Sequence, residues 1–590
     1  MEVRLPKMGL VRARLGMNRN QLILVLCLVI GVSTGVGAIA FRWMIEVFHD
    51  LFFNDLWGLF DWAGRYKILV LPLIPAAGGL MVGPIVHFVA QEAKGHGVPE
   101  VMAAVAMRDG RIRARVATAK AIASAICIGS GGSAGREGPI VQIGSALGSA
   151  MGQMFRISGN RLRILVGCGA AGGISAVFNA PIAGAMFAVE IILGDFGVRT
   201  LTPVVLSSVA ASVTARTIIG DKAVFQVPNT YQLVSPWEIP LYLILGAVAG
   251  LVSIFYIKTL YFSEDQFERL RIPGYLKPAL GGLALGVLAM VSMEVLADGY
   301  HGITDALAGR LDLKIVSILI LLKIVATSLT LGSGNSGGIF APSLFTGAML
   351  GQAFGGVMHF LFPGVTAPPG AYALVGMAAM VSGATHAPIT AILIIFEMTG
   401  DYRIMLPLMA TSVAATFVAN RMFPQSIYTL KLFRKGINIR HGREVNIMSS
   451  LKVAEVMDRE YEAIPQDLPL KRIVDKFDET HTDSMPVTYS DGSLAGVVRF
   501  SDIRDLLMNR SLEVLADVVI AADILTPTET ELYLVPTESL NDAMLKLGME
   551  DVRNLPVVES KESMRLVGML SRRRLMNAYN RALLTEKTDI

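Results

Sequence analysis

Apolar residues run in long blocks from residue 22 to residue 420, separated by short polar stretches rich in glycine and proline. The blocks lie near 22–47, 68–90, 117–128, 140–154, 162–178, 181–193, 202–219, 239–260, 278–297, 314–331, 343–361, 370–382, 386–398 and 404–420. A helix that crosses a bilayer perpendicularly needs about 20 apolar residues. Several blocks are shorter, and turns such as GHGVPE (95–100), FNAPIAG (178–184) and THAPIT (385–390) interrupt them. The pattern therefore predicts membrane helices, some of them broken. Broken backbone at membrane depth is stable only where protein or a watery cavity satisfies its polar groups, so the breaks point to a buried polar pathway. Beyond residue 450 the pattern changes. LAGVVRF (494–500) and LPVVES (555–560) alternate as short strands do.

The apolar part repeats. GSGGSAGREGP (129–139) laid over GSGNSGGIFAP (332–342), at an offset of 203, matches at six of eleven positions. Gly144 then falls on Gly347, Gly148 on Gly351 and Lys120 on Lys323. After four inserted residues, NAPIAGAMFAVE (179–190) lies over HAPITAILIIFE (386–397), with Glu190 on Glu397. Two related halves, roughly 20–220 and 235–430, follow. Paired halves with interrupted helices at matching places are the mark of a transport site at their interface. The tail repeats as well: Pro486 answers Pro556 and Gly496 answers Gly568, in units that read strand, helix, strand, strand, helix. Two such units are expected to pack together, because one alone buries little core.

Composition sharpens the class. Of 590 residues, 53% are hydrophobic and only 17% charged, against about 25% charged in soluble proteins. This excludes a soluble enzyme, and no enzymatic activity is expected. The net charge of +4 gives no sign of nucleic-acid binding. Cys27, Cys127 and Cys168 fall in apolar segments and read as small core residues, with no metal site implied. The N-terminal segment is basic, with Arg4, Lys7, Arg12, Arg14 and Arg19 before the first apolar block. It reads as the cytoplasmic flank of an uncleaved first helix. A soluble tail on the same side would require an even number of crossings.

The glycine loops carry the candidate chemistry. A helix start exposes unpaired N–H groups and about half a positive charge, and glycine lets that backbone approach a ligand. SAGREGPIV and SGGIFAPSL both read as loop, proline, helix. Several such starts aimed at one point would bind an anion without a fixed cation to trap it. The other reading is that the glycines serve close helix packing. Glu137, between the glycines, is an ionisable residue at membrane depth and so functional by default. Its carboxylate would occupy an anion site and leave it on protonation, which makes it a gate. A magnesium pathway is disfavoured, because it needs clustered carboxylates and the acids here are scattered.

GREGP (135–139), GGIFAP (338–342), GHGVPE (95–100) and the tyrosine of PQSIYTL (424–430), in this order and spacing, resemble the CLC family of chloride channels and chloride/proton antiporters, and the tail resembles paired CBS domains. The resemblance implies an all-α polytopic membrane protein of two inverted repeats, followed by an α/β cytoplasmic CBS pair. It also implies a homodimer in the lipid bilayer, with a separate chloride pathway in each subunit. The expected organisation is a cytoplasmic segment 1–20, membrane repeats 21–220 and 221–432, a linker 433–450, and CBS units 451–515 and 516–584. Carried over, the resemblance makes Glu137 the gating glutamate, gives Ile339 and Phe340 the backbone N–H groups that contact chloride, and gives Tyr428 the hydroxyl that completes the site. His96, Gly97, Arg136 and Gly138 join them in the anion-binding set. From the residues alone, Tyr428 would read as an interfacial aromatic.

Two departures from the family pattern stand out. His96 replaces the usual serine, so either an imidazole N–H serves the anion or the ring turns aside and leaves the backbone to bind it. In MFAVEIILGDF (186–196), Glu190 takes the first of two acid positions, and Ile191 replaces the proton-transfer glutamate. Isoleucine carries no proton. The expectation is chloride conduction that is channel-like or weakly coupled to protons. The alternative is chloride/proton exchange by another internal route, for example through Glu190 or Asp195. A fluoride or nitrate carrier ranks lower. Lys120 either adds positive potential near the path or snorkels. Glu397 reads as a paired buried acid. In the tail, Ser501 and Asp502 fit a ribose-binding pattern for an adenine nucleotide. Arg573 and Arg574 stand in the matching places of the second unit, where they either meet phosphate or are solvated.

Overall fold

The computed structural model describes residues 19–59, 61–221, 224–225, 231, 233–435, 437, 439–440, 443–444, 451–480, 482–507, 518–527, 533–549 and 554–586. The basic residues before Arg19, and the residues between the two tail units at 508–517, lie outside them. The chain forms two compact units, 1–443 and 444–590.

The first unit is helical. Its helices are α1 (Arg19–His49), α2 (Leu73–Pro84), α3 (Val98–Met107), α4 (Arg115–Gly129), α5 (Glu137–Met154), α6 (Asn160–Phe178), α7 (Pro181–Phe187) and α8 (Val198–Ile219). The second half supplies α9 (Glu238–Arg269), α10 (Lys277–Ala289), α11 (Tyr300–Leu307), α12 (Leu313–Gly332), α13 (Phe340–Leu361), α14 (Pro369–Thr385), α15 (Pro388–Thr399), α16 (Met405–Met422) and α17 (Thr429–Arg434). Among the described residues, eight helices are long and apolar enough to cross a membrane. Val98–Met107, Pro181–Leu193, Gly274–Ala289 and Pro388–Thr399 are apolar but shorter, so they are the broken pieces.

The same local devices shape both halves. Asn179 and His386 adopt left-handed conformations, with φ 55 and φ 58, and end α6 and α14. Pro181 and Pro388 then occupy the first positions of α7 and α15, where a missing N–H costs nothing. The glycines at 144 and 347 do what close packing requires. A Cβ on Gly144 would collide with the Gly169 carbonyl, and one on Gly347 with the Gly376 carbonyl. Backbone thus meets backbone where α5 crosses α6 and where α13 crosses α14. The packing reading holds for these glycines, which sit inside helices rather than in loops.

Polar side chains tie the halves together reciprocally. Glu397 accepts from the N–H groups of Ile182 and Ala183 at the start of α7, at 3.0 and 2.6 Å. Glu190, on the π-helical continuation of α7 (Ala188–Leu193), accepts from Ile389 N–H, Thr390 N–H and the Thr390 hydroxyl at 3.3, 2.7 and 2.6 Å. Each half caps a broken helix of the other. Glu397 therefore finds backbone donors rather than the pairing partner expected from sequence.

The second unit carries two matching motifs. Strand β1 (Ile464–Pro465) lies parallel to β2 (Ser484–Thr488), which is antiparallel to β3 (Leu494–Arg499). Helix α18 (Leu470–Thr480) joins the first two strands, and α19 (Phe500–Leu507) follows the third. Seventy residues on, Leu534 bridges Val557 in parallel, α20 (Leu540–Met549) follows, and β5 (Asn554–Val558) pairs with β6 (Leu566–Ser571) before α21 (Arg572–Glu586). The units exchange edges. Strand β4 (Thr526–Pro527), which leads into the second motif, pairs with β3 of the first. Asp458, which leads into the first, bridges Met569 of the second. Neither sheet is complete alone, which is why the repeat comes as a pair.

Candidate functional site

Three loops meet before the starts of α3, α5 and α13. Gly135 and Gly338, one from each half, exchange hydrogen bonds: Gly135 N–H donates to Gly338 O at 2.8 Å, and Gly338 N–H to Gly135 O at 2.6 Å. The third loop joins through Gly95, whose N–H donates to Asn335 O at 3.0 Å. Sequence matching identified the loops at 129–139 and 332–342 as equivalents, and the fold pairs them.

Glycine is required where they touch. A Cβ on Gly138 would press on the His96 carbonyl oxygen and stand 3.0 Å from the Gly338 Cα. Gly97, with φ +82, precedes the first turn of α3, and a Cβ there would stand 2.8 Å from Gln142 Oε1. Gly138, at the second position of α5, and Ile339 and Phe340, at the threshold of α13, all carry N–H groups that by position lack an intrahelical acceptor.

Side chains surround the loops. Tyr428, 2% exposed, precedes α17, and its ring lies 5.8 Å from that of His96. Tyr428 is thus a buried residue of the site rather than an interfacial aromatic. The Glu137 carboxylate lies within electrostatic reach of the Tyr428 hydroxyl. His96 does not turn out to the surface: it is 5% exposed, and its Nδ1 is buried without a hydrogen-bond partner. Phe340 packs against Phe178, ring centroids 5.5 Å apart.

Glu137, 1% exposed, folds back over Gly135. Its Oε1 accepts from the Tyr300 hydroxyl at 3.0 Å, while Oε2 is buried without a partner. The Arg136 guanidinium lies over the Tyr300 ring, 5.0 Å from its centroid. Tyr300 escaped the reading of the sequence. A signal existed, because the offset of 203 that matches the loops carries Gly97 onto Tyr300.

Lys120 is fully buried and does not snorkel. Its Nζ donates to the carbonyls of Ala93 and Gly95, at 3.0 and 2.6 Å, and so holds the loop that presents His96 and Gly97. Its counterpart Lys323 donates to Val295 O and Ala297 O, both at 3.0 Å, and holds the loop before Tyr300. At the approach to Gly95, Lys431 pairs with Glu100 at 3.5 Å, and Lys435 pairs with the same carboxylate at 3.0 Å. The Glu190 carboxylate is turned away from these loops and onto α15. Ile191 is buried beside it.

Residues 78–420 match the family described as voltage gated chloride channel. The chain belongs to this CLC family. Two CBS domains match at 453–509 and 521–581. A ClcB-like chloride channel protein of Ralstonia nicotianae is 36% identical over 409 residues, which cover 69% of this chain and 95% of that one. An H(+)/Cl(-) exchange transporter, ClcA of Vibrio parahaemolyticus, is also 36% identical, over 365 residues, 59% of this chain and 76% of that one. A solved eukaryotic CLC transporter shares the fold with a TM-score of 0.67, over 96% of this chain and 98% of that one at 22% identity. This CLC protein is therefore an integral membrane protein that transports chloride, with a fold of two inverted repeats followed by paired CBS domains. Its relatives include exchangers, so kinship leaves the coupling mode to its own residues.

In the soluble unit, Ser501 and Asp502 sit in the first turn of α19, with Ser501 Oγ 3.2 Å from Asp502 Oδ1. Arg573 and Arg574, in the matching places of the second motif, are exposed, and Arg574 makes a surface ion pair with Asp458 at 2.8 Å.

Proposed function

We propose that this CLC protein conducts chloride through one pathway per chain, channel-like or weakly coupled to protons, with Glu137 as the gate. The observation that carries this reading is the reciprocal pairing of Gly135 and Gly338, which brings the starts of α5 and α13 together beside His96. Converging helix starts attract an anion through oriented peptide dipoles, without a fixed cation at the centre. Chloride would lie among the N–H groups of Gly138, Ile339 and Phe340, with Gly97 behind them and Tyr428 donating its hydroxyl. Arg136, stacked on Tyr300, adds positive potential beside the gate without entering the chloride site.

Weak coupling is supported by the residues around the position of the missing acid. Ile191 cannot bind a proton. Both Glu190 oxygens are engaged by donors of α15, and the Asp195 oxygens accept from Gly197 N–H and the Thr200 hydroxyl at 2.9 and 2.7 Å. The second reading, chloride/proton exchange, is favoured by one observation. The buried Nδ1 of His96 has no hydrogen-bond partner and could carry a proton beside Tyr428. Purified protein in liposomes decides between them, with chloride and protons followed together. Conduction gives a reversal potential at the chloride equilibrium value whatever the proton gradient, and exchange gives one that moves with it. The same assay with fluoride and nitrate tests those anions.

The protein is proposed to be a homodimer with both termini cytoplasmic, divided at the limits given above. An adenine nucleotide is proposed to bind at Ser501 and Asp502, since Arg573 and Arg574 replace the hydroxyl and the acid in the second unit. Calorimetric titration of the purified full chain with ATP and AMP tests this; absence of heat rejects it.

A further inference from the structure

One oxygen of the buried Glu137 carboxylate is held by a side chain from the other half of the chain. We propose that Tyr300 is a positioning residue for Glu137: its hydroxyl anchors one carboxylate oxygen and leaves the other free to take the proton. The proposal rests on the reading of Glu137 as the gate.

The geometry is specific. The Tyr300 hydroxyl donates to Glu137 Oε1 at 3.0 Å, and Oε2 has no partner. A proton arriving at Oε2 forms an O–H bond there without breaking the Tyr300 contact, so the anchor persists through the protonation step. The anchor's strength still changes, because a hydroxyl bonds more strongly to a carboxylate than to a neutral acid. Tyr300 therefore favours the ionised gate.

Tyr300 is itself held from three sides. Arg136 stacks on its ring at 5.0 Å, and Phe225 meets it edge-on at 5.3 Å. Lys323 fixes the carbonyls of the loop that delivers it. The titratable and charged groups facing Glu137 are Arg136, Asp298, Tyr300 and Tyr428. Among these, Tyr300 makes the hydrogen bond. The contact crosses between the halves: α3 brings Gly97 to the start of α5 from one half, and Tyr300, at the start of α11, reaches the same start from the other.

The test is the pH profile of chloride flux from liposomes, for the wild-type protein and for Tyr300→Phe, Phe225→Leu and Glu137→Gln. Tyr300→Phe removes one donor to the carboxylate. The midpoint of acid-activated flux should move to higher pH by about half to one unit. Phe225→Leu loosens the ring but keeps the hydroxyl, and should move the midpoint the same way by less; it carries the test if Tyr300→Phe fails to fold. Glu137→Gln should give flux that no longer depends on pH. If it does, and the midpoint is unmoved or lowered in the Tyr300 and Phe225 variants, the positioning role is rejected alone. Flux that keeps its pH dependence in Glu137→Gln rejects the gate, and this proposal with it.

Discussion

The Glu397 carboxylate accepts the backbone N–H of Ala183 at 2.6 Å, across 214 residues of sequence. Glu190 repays the contact by accepting the N–H of Thr390 at 2.7 Å. Each acid neutralises the open start of a short helix that begins with proline, and the two helices belong to opposite halves. The halves are thus joined by two charge–dipole contacts of the same design.

Loss of either cap should therefore weaken the fold. Glu397→Ala or Glu190→Ala leaves two N–H groups without their acceptor, at a cost of about 1–2 kcal/mol each. The Gln variants keep one acceptor oxygen and should lose less. Thermal denaturation in detergent measures this; an unchanged midpoint in both Ala variants would refute the capping role. Because Glu190 is committed here, its replacement should leave the response of the reversal potential to a proton gradient as it was.

Gly138→Ala should abolish most chloride flux. The added methyl meets two backbones, the His96 carbonyl and the Gly338 Cα, and neither can rotate away as a side chain would. The loops must part, and the N–H groups lose their common focus. We expect at least a tenfold fall in flux with the protein still monodisperse in detergent. Wild-type flux from this variant would show that the loops do not need to touch.

Lys120→Met keeps the length of the side chain and removes its ammonium. Ala93 O retains the Ser336 hydroxyl at 2.8 Å, and Gly95 O retains the N–H of Gly337 at 3.3 Å, so the loop should stay folded but loosen. The expected loss of stability is about 1–3 kcal/mol, with lower chloride flux as positive potential is withdrawn from the approach. Flux that rises on this substitution would mean that the lysine retards the anion instead.

His96→Ser replaces a ring beside Tyr428 with a small hydroxyl. The ring is the bulkier lining and carries an unpartnered Nδ1, so its removal should change the chloride/nitrate ratio by severalfold. Competition flux with both anions reads this out. An unaltered ratio would remove the side chain from selectivity and leave the backbone alone to set it.

Much of the fold was legible because repetition leaves a trace in residue types. The offset of 203 pairs the glycine loops and the two lysines, four further residues pair the two acids, and the seventy-residue period pairs the CBS units. Glu137 was legible because a lone acid among membrane glycines is costly and therefore purposeful. The breaks between helices are also legible, from the turns FNAPIAG and THAPIT that interrupt the apolar blocks.

The direction in which a buried side chain points was settled only by tertiary structure. Lys120 could have snorkelled, but it reaches the Ala93 and Gly95 carbonyls because the loop folds across its tip. Only the packing of α11 sets the Tyr300 hydroxyl against a glutamate 163 residues away. Glu190 reads as a possible proton carrier, and only the fold shows that donors of α15 meet both its oxygens. Sequence fixes which polar groups must find partners inside the membrane, since leaving them unpaired costs too much. Which partner each one finds depends on distances between segments far apart in the chain, and only packing of the two halves sets those.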